Sequence, residues 1–350
     1  MKKNIFFLIL MINSLFLAGT AGASVAGNYF KEAEQAAKNG DNQAAMQDYQ
    51  EALDAGYNKG KVALALGGLY ARSGDDAGAI KWLNTAQGES LSNDDALQAD
   101  LSLGKIYYRN RDFAKAMEYL KDCLAIRPKY EEAHLNLALI YRDMKMYPEA
   151  SLQMDSLARS KKLKFEYCLL KGQIYQDWGI YRKAGIYLGK AIIINAMSLD
   201  AHQSLAEVYF QQNDYGKALG EWKYVASLQP QALAYQKMAL CLYNLTEKEK
   251  ALASLLEAIK LEPNDYMNYA LGGLIYSSGR DWEKALAQFN RALEINPGSQ
   301  FALYGQGLCN LRLQKKLQAQ ISFQKTAELN NNSWMGSIAA RELNNINGVK

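Results

Sequence analysis

The chain has 350 residues, of which 49% are hydrophobic and 22% charged, and its 40 basic and 36 acidic side chains give a formal net charge of +4. This near balance excludes the strongly basic composition of a typical nucleic-acid-binding domain, and the basic pairs at 161–162 and 315–316 lie in otherwise mixed segments. We therefore expect no nucleic-acid partner.

The first predicted element is a secretory signal peptide over residues 1–23. Lys2 and Lys3 give a basic start, residues 5–18 are mostly apolar, and the small residues ending at Ala23 suit signal peptidase. The apolar run is shorter than the roughly 20 residues that a membrane span needs. We predict cleavage near Ala23, export to the periplasm or beyond, and no stable membrane span in the mature chain. An uncleaved anchor is the alternative.

The rest of the chain repeats with a period of about 34 residues. A small residue recurs in steps of 34, 37, 34, 34, 34, 33, 34 and 34 at Ala33, Gly67, Gly104, Ala138, Gly172, Ala206, Ala239, Gly273 and Gly307. Twelve residues after each of these stands an alanine, namely Ala45, Ala79, Ala116, Ala150, Ala184, Ala218, Ala251, Ala285 and Ala319. A fixed period of this length is typical of solenoids built from helical hairpins.

Close helix packing explains these small residues, because two helices approach to about 8 Å only where a small side chain faces the partner. Larger side chains complete each hairpin. A tyrosine follows the first small position by three residues in six repeats, at Tyr70, Tyr107, Tyr141, Tyr175, Tyr209 and Tyr276. Four residues after each alanine of the second set stands a large residue: Tyr49, Leu83, Leu120, Met154, Leu188, Trp222, Leu255, Phe289 or Phe323.

Turn residues agree with the same register. An aspartate stands where a second helix must begin at Asp41, Asp75, Asp112, Asp214 and Asp281, and aspartate is a strong N-cap. Four of the five prolines lie at the other end of the hairpin, where they stop the second helix: Pro128, Pro230, Pro263 and Pro297.

A 34-residue helix-turn-helix with these small, aromatic and proline positions resembles the tetratricopeptide repeat. The resemblance covers about residues 26–333 and implies an all-α, right-handed superhelical solenoid of about nine hairpins with a capping helix. The predicted domains are a solenoid over 24–333 and a capping helix and tail over 334–350, with Trp334 and Ile338 facing the last hairpin. Repeats are expected to open near residues 26, 60, 97, 131, 165, 199, 232, 266 and 300. The step of 37 predicts a polar loop over 88–95 between the second and third repeats.

Residues with catalytic or metal-binding chemistry are few. His134 and His202 occupy one packing position two repeats apart, and no zinc signature of the His-Glu-x-x-His type is present. The four cysteines fall in alternate repeats, too far apart for a disulfide, and are expected in the core. We therefore predict no enzyme activity, no cofactor and no metal site.

The resemblance implies a concave groove made mainly by the first helices, in which partner segments bind. The positions expected to face it are Lys105, Tyr108, Arg109, Arg142, Asp143, Gln173, Gln176, Gln203, Glu207, Phe210, Gln211, Gln236, Tyr243 and Asn244. Tyr108, Phe210 and Tyr243 share one slot that need not be aromatic for packing, and aromatic side chains are enriched at interface hot spots. The alternative is that these rings simply cover the adjacent helix.

The leading hypothesis is therefore a protein-binding scaffold of the bacterial cell envelope that assists assembly or secretion of larger complexes. The competing hypothesis is a solenoid of a polysaccharide-export system, whose aromatic side chains contact glycan. An uncharacterised enzyme is the third possibility.

Overall fold

The computed structural model describes residues 25–348, and the predicted signal peptide and cleavage site lie outside this range. The expected all-α fold is confirmed, since residues 25–348 contain helices and no strand. The helices are α1 (25–38), α2 (Asn42–Asp54), α3 (Lys59–Ser73), α4 (Asp76–Gln87), α5 (Asn93–Arg109), α6 (Phe113–Ile126), α7 (Glu131–Asp143), α8 (Tyr147–Asp155), α9 (Lys164–Asp177), α10 (Tyr181–Ile194), α11 (Leu199–Gln211), α12 (Tyr215–Leu228), α13 (Ala232–Asn244), α14 (Lys248–Leu261), α15 (Tyr266–Ser278), α16 (Trp282–Ile295), α17 (Gln300–Arg312), α18 (Lys316–Leu329) and α19 (Trp334–Asn347).

Consecutive helices pack as antiparallel pairs, which makes nine hairpins from α1–α2 to α17–α18 among the described residues. The final helix, α19, packs on α17 and α18. Two compact units divide the chain, the first ending at Tyr167 and the second beginning at Cys168. None of the helices within residues 25–348 combines the length and apolar character needed to cross a bilayer.

Every hairpin is closed by the small residues that the sequence repeats. All nine alanines of the second-helix set are fully buried. Where the first helix has glycine, a Cβ atom would collide with the large residue of its partner helix: 2.6 Å from Leu83 at Gly67, and 2.7 Å from Phe289 at Gly273. The predicted close approach of the two helices is therefore confirmed at atomic detail.

The turn inside each hairpin has one geometry. In all nine turns a residue with positive φ precedes the N-cap of the second helix: Gly40, Gly74, Arg111, Lys145, Gly179, Asn213, Thr246, Arg280 and Gln314. At the third turn, for example, the N–H of Asp112 bonds to the carbonyl of Tyr107 at 2.9 Å, the long-range bond of a Schellman motif. The first helix thus ends with its last carbonyl groups satisfied, and the chain reverses within a few residues.

Four of the five predicted aspartate caps are confirmed. The carboxylates of Asp41, Asp75, Asp112 and Asp214 each accept a hydrogen bond from the backbone N–H three residues later. Asp281 makes no such bond, because its carboxylate instead accepts from Lys248 Nζ of the preceding hairpin at 2.5 Å. This aspartate joins two hairpins rather than capping one helix.

The three-residue insertion forms a shorter loop than predicted. The expected loop extends to residue 95, but α5 begins at Asn93, since Ser92 Oγ accepts from the N–H of Asp95 at 3.2 Å. Arg127 Nη2 also lies 2.5 Å from Asp94 Oδ1, on the added turn of helix. Part of the insertion therefore lengthens α5 instead of extending the loop.

A matched pair of glycine substitutions tests the close approach. Gly273→Ala should lower the free energy of unfolding by about 1–3 kcal/mol, because its Cβ would lie 2.7 Å from Phe289 ring atoms. Gly220→Ala is the control, because a Cβ there meets nothing within 4 Å. This alanine should raise the free energy of unfolding by as much as about 1 kcal/mol, since alanine favours the helix over glycine. Urea unfolding followed by circular dichroism measures both. Equal effects of the two substitutions would contradict this account of the packing.

Candidate functional site

The predicted groove positions lie on the first helices α5, α7, α9, α11 and α13, as the repeat register requires. Many of them contact neighbouring side chains. In the first unit, Tyr108 Oη donates to Asp143 Oδ2 at 2.9 Å, and the Arg109 guanidinium pairs with Asp76. Burial, together with the bond to Asp143, raises the pKa of Tyr108 to about 12. Arg142 also interacts with a neighbouring group.

Groove positions of the second unit also contact neighbouring side chains. Glu207 forms an ion pair with Lys237 of the next hairpin, and Gln173 Nε2 donates to Ser204 Oγ at 3.4 Å. Phe210 packs edge-on against the ring of Tyr215, with 5.2 Å between ring centroids. The first two contacts link successive hairpins, and the ring contact joins the two helices of the sixth hairpin, so several of the predicted groove residues also make structural contacts.

The expectation that Gln236 is exposed is wrong. Its side chain is buried, and Nε2 donates to Asp265 Oδ2 at 2.6 Å and to Asn268 Oδ1 at 2.8 Å. Asn268 is fully buried and in turn donates to the carbonyl of Glu262 at 2.9 Å. Gln236 therefore belongs to a polar network between the seventh and eighth hairpins.

Another of the predicted groove residues, Tyr243, lines a cleft with a volume of about 340 Å³. Four first or capping helices and one second helix line it. The lining residues are Tyr243, Leu274, Ser277, Ser278, Trp282, Phe289, Phe301, Tyr304, Gly305, Leu308, Arg312, Trp334 and Met335. The Arg312 guanidinium stands over the Trp282 ring, 5.9 Å from its centroid. The cleft is thus apolar, with one cation held at its wall.

Trp334 is not buried against the last hairpin, although it lies at a cleft that the first helix of this hairpin helps to line. Its side chain is 70% exposed and lies at the cleft, while Gly336 and Ala339 make the buried contacts of α19. A Cβ atom on Gly336 would collide with the carbonyl oxygen of Asn330, so the first turn of α19 lies against the end of α18. This tight approach leaves the indole outside, where a ligand can reach it.

The cleft itself was missed by the sequence prediction, although a signal for it exists. The position directly after the first small residue is polar in the third, fifth and sixth repeats, as Lys105, Gln173 and Glu207. In the last three repeats the same position holds leucine at 240, 274 and 308. A groove lining that turns apolar over three consecutive repeats predicts a change in what binds there.

Both histidines have structural partners. His202 Nδ1 lies 2.6 Å from Glu221 Oε2, and its Nε2 lies 3.1 Å from the carbonyl oxygen of Ala196. His134 Nδ1 lies 2.8 Å from Gln153 Oε1 in the corresponding arrangement, with Nε2 3.1 Å from a backbone carbonyl. Each imidazole therefore bridges the two helices of its hairpin and the turn before it.

The cysteines occupy the core, as expected. All four are buried free thiols. Burial raises the pKa of Cys123 and Cys241 to about 12 and that of Cys309 to about 11, so these thiols stay protonated near neutral pH. Between residues 25 and 348, no group of three or more His, Cys, Asp or Glu side chains is arranged to hold a metal ion.

Comparison with known families agrees with this architecture. Profiles of the tetratricopeptide repeat match residues 30–96, 107–174, 236–300 and 271–332. These ranges together cover more than half of the chain, which belongs to the tetratricopeptide repeat family. Residues 175–235 lie between the matched ranges and contain hairpins with the same left-handed turn residue.

Individual relatives share parts of this repeat region. Anaphase-promoting complex subunit 3 of Schizosaccharomyces pombe is 32% identical over 96 residues, which is 27% of this chain and 14% of that protein. Protein O-mannosyl-transferase TMTC1 of Homo sapiens is 25% identical over 262 residues, 72% of this chain and 25% of that protein. The chain spans at most a quarter of the length of these two relatives.

Among solved structures, a tetratricopeptide repeat protein from Parabacteroides merdae is similar with a TM-score of 0.54 and 18% identity, over 72% of this chain and 98% of that chain. At this identity the likeness shows the fold alone. Proteins of this repeat family generally act as scaffolds that bind other proteins, and the fold is typically non-enzymatic.

The buried polar network gives a direct test of the role of Gln236. Gln236→Ala should lower the free energy of unfolding by about 1–3 kcal/mol, because the oxygens of Asp265 and Asn268 lose their donor. Gln211→Ala, on an exposed residue, should change stability by less than about 0.5 kcal/mol. If Gln236→Ala leaves the urea midpoint unchanged, the network does not stabilise this part of the solenoid.

Proposed function

We propose that this chain is a non-enzymatic scaffold that holds a segment of a partner protein along its first helices. The cleft that begins at Tyr243 is the observation that carries this proposal. Its lining combines aromatic and leucine side chains with the cation of Arg312, the composition expected of a pocket that receives the anchoring side chain of a partner.

In this proposal the groove and the cleft bind different parts of a partner. Polar groups on the first helices of each unit, such as Lys105 in the first and Gln176 in the second, suit the backbone and polar side chains of a segment bound to that unit, because amide groups both donate and accept hydrogen bonds. Apolar groups at the cleft suit one or two large side chains of the same or another partner. In this proposal Trp334 closes over the bound side chain, since its own side chain is exposed at the cleft.

Site-specific photocrosslinking in the native cell tests the groove. Benzoylphenylalanine in place of Tyr243 should yield discrete protein adducts, and Leu308→Ser with Trp334→Ala should abolish them. The matched control puts the same probe in place of Leu256, which is 59% exposed on the second helix α14. Equal adducts from both positions would contradict a specific site. Adducts with glycan instead of protein would favour the polysaccharide-export hypothesis, since aromatic rings also stack on sugar rings.

We also propose that the scaffold works in the bacterial cell envelope, where it assists assembly or secretion of larger complexes. The sequence of residues 1–23 supports export, and cleavage near Ala23 would release a chain without that apolar segment.

Mass spectrometry of the chain purified from its native cell tests export and processing. We expect an N-terminus at Ser24 and recovery from the periplasmic or secreted fraction. Replacing Ala23 with a large charged residue, Ala23→Arg, should block cleavage and leave the longer chain at the membrane. A mature N-terminus at Met1 together with recovery from the cytoplasm would contradict the proposed location.

A further inference from the structure

A second surface, separate from the groove, lies on the outer side of the second helix α10. Its exposed residues recur at helical spacing and alternate between cationic and apolar side chains: Arg182, Ile186, Lys190 and Ile193, continued past the helix end by Met197. Ile193 is 84% exposed, Met197 71% and Ile186 52%. We call these five residues the α10 stripe. Isolated exposed apolar residues are ordinary, but a row of them on one helix face marks an interaction surface.

The neighbouring helix leaves the α10 stripe uncovered. One repeat later, the positions equivalent to Arg182 and Ile186 are glycines on α12, and a Cβ atom added to Gly216 or Gly220 would meet nothing within 4 Å. The stripe therefore protrudes beside a low surface and does not line a groove. Such a ridge suits a soft or flat partner better than a side chain that needs a pocket.

Charge points to an anionic partner. Residues 178–199 contain three basic side chains, including Lys183, and no aspartate or glutamate. On the adjacent helix α12, Glu221 is engaged by His202 at 2.6 Å. Lys190 Nζ stands 5.2 Å from the centroid of the Tyr187 ring, which holds this cation beside the apolar row. The basic and apolar side chains thus lie on one side of one helix.

We propose that the α10 stripe binds the surface of a bilayer that contains anionic phospholipid. Helices that lie in a membrane interface combine Lys or Arg with exposed apolar side chains in this manner, and the apolar groups enter the boundary between headgroups and acyl chains. Ile193 and Met197 would enter this boundary, while Arg182 and Lys190 stay at the phosphate level. The scaffold would then bind its protein partner by its first helices and a membrane by a second helix.

Self-association through the same surface is disfavoured by its charge. In a two-fold pairing of α10 stripes, Arg182 and Lys190 of one copy would face the same basic residues of the other. Like charges in this arrangement repel. A lipid surface provides anionic groups to every cation of the stripe at once.

A fluorescent label placed on the stripe tests the proposal in the full chain. The four native thiols are buried. Met197→Cys therefore adds one accessible thiol, which reacts with an environment-sensitive dye in the folded protein. Vesicles of phosphatidylglycerol and phosphatidylcholine should brighten and blue-shift the dye, and pure phosphatidylcholine should not. A local readout is needed, because residues 5–18 are themselves mostly apolar.

The matched control carries the dye at Leu256→Cys, an exposed leucine on α14, a helix in which two glutamates accompany three lysines. Its emission should not change with either vesicle. Adding Arg182→Gln and Lys190→Gln to the Met197→Cys chain should weaken binding about 25-fold, since each basic residue near an anionic surface contributes about fivefold. Salt at 0.5 M should weaken binding of the unchanged stripe as well.

Three results would overturn the proposal. The first is a dye at position 197 that does not respond to anionic vesicles, and the second is an equal response at position 256. The third is a response at position 197 only after a protein fraction is added, which would make the stripe a protein interface. Unchanged circular dichroism and thermal midpoints of all variants show that the comparison is made between folded chains.

Discussion

The contact between a small residue on one helix and a large one on its partner governs this structure. Nine hairpins bury the same alanine completely, and at Gly67, Gly104, Gly172, Gly273 and Gly307 a single added methyl group would reach the facing side chain at 2.6 to 2.8 Å. Because this contact closes each hairpin, the outward-facing residues of its helices do not need to contribute to the packing of the hairpin. The first helices can then carry a groove, and the second helices can carry surfaces such as the α10 stripe.

This constraint also explains what the sequence could predict. Only a few residue types fit a helix contact of this kind, so the small residues recur visibly and reveal the hairpins, their register and most of their caps. The start of α5 was predicted less well, because a polar insertion is compatible with a loop and with an added helical turn. Ser92 decides between them by capping the longer helix.

The site residues were harder to predict, because exposure depends on what faces a residue from the next hairpin. Gln236 occupies a position that is open in a single helix, but Asp265 and Asn268 of the following hairpin accept its hydrogen bonds. Trp334 was expected to face the last hairpin. In the structure Gly336 and Ala339 take the close contact instead, by the same preference for small residues that closes every hairpin. The indole is displaced to the cleft.

The turns inside the hairpins reveal where this solenoid has not been optimised for stability. Six of the nine left-handed residues carry side chains, and apart from Asn213 these are types that pay roughly 1–2 kcal/mol for that backbone conformation. Gly40, Gly74 and Gly179 show that the same turn forms with glycine. The five strained turns at Arg111, Lys145, Thr246, Arg280 and Gln314 are therefore places where a substitution could raise stability, at exposed residues that each precede a fully buried alanine by five positions.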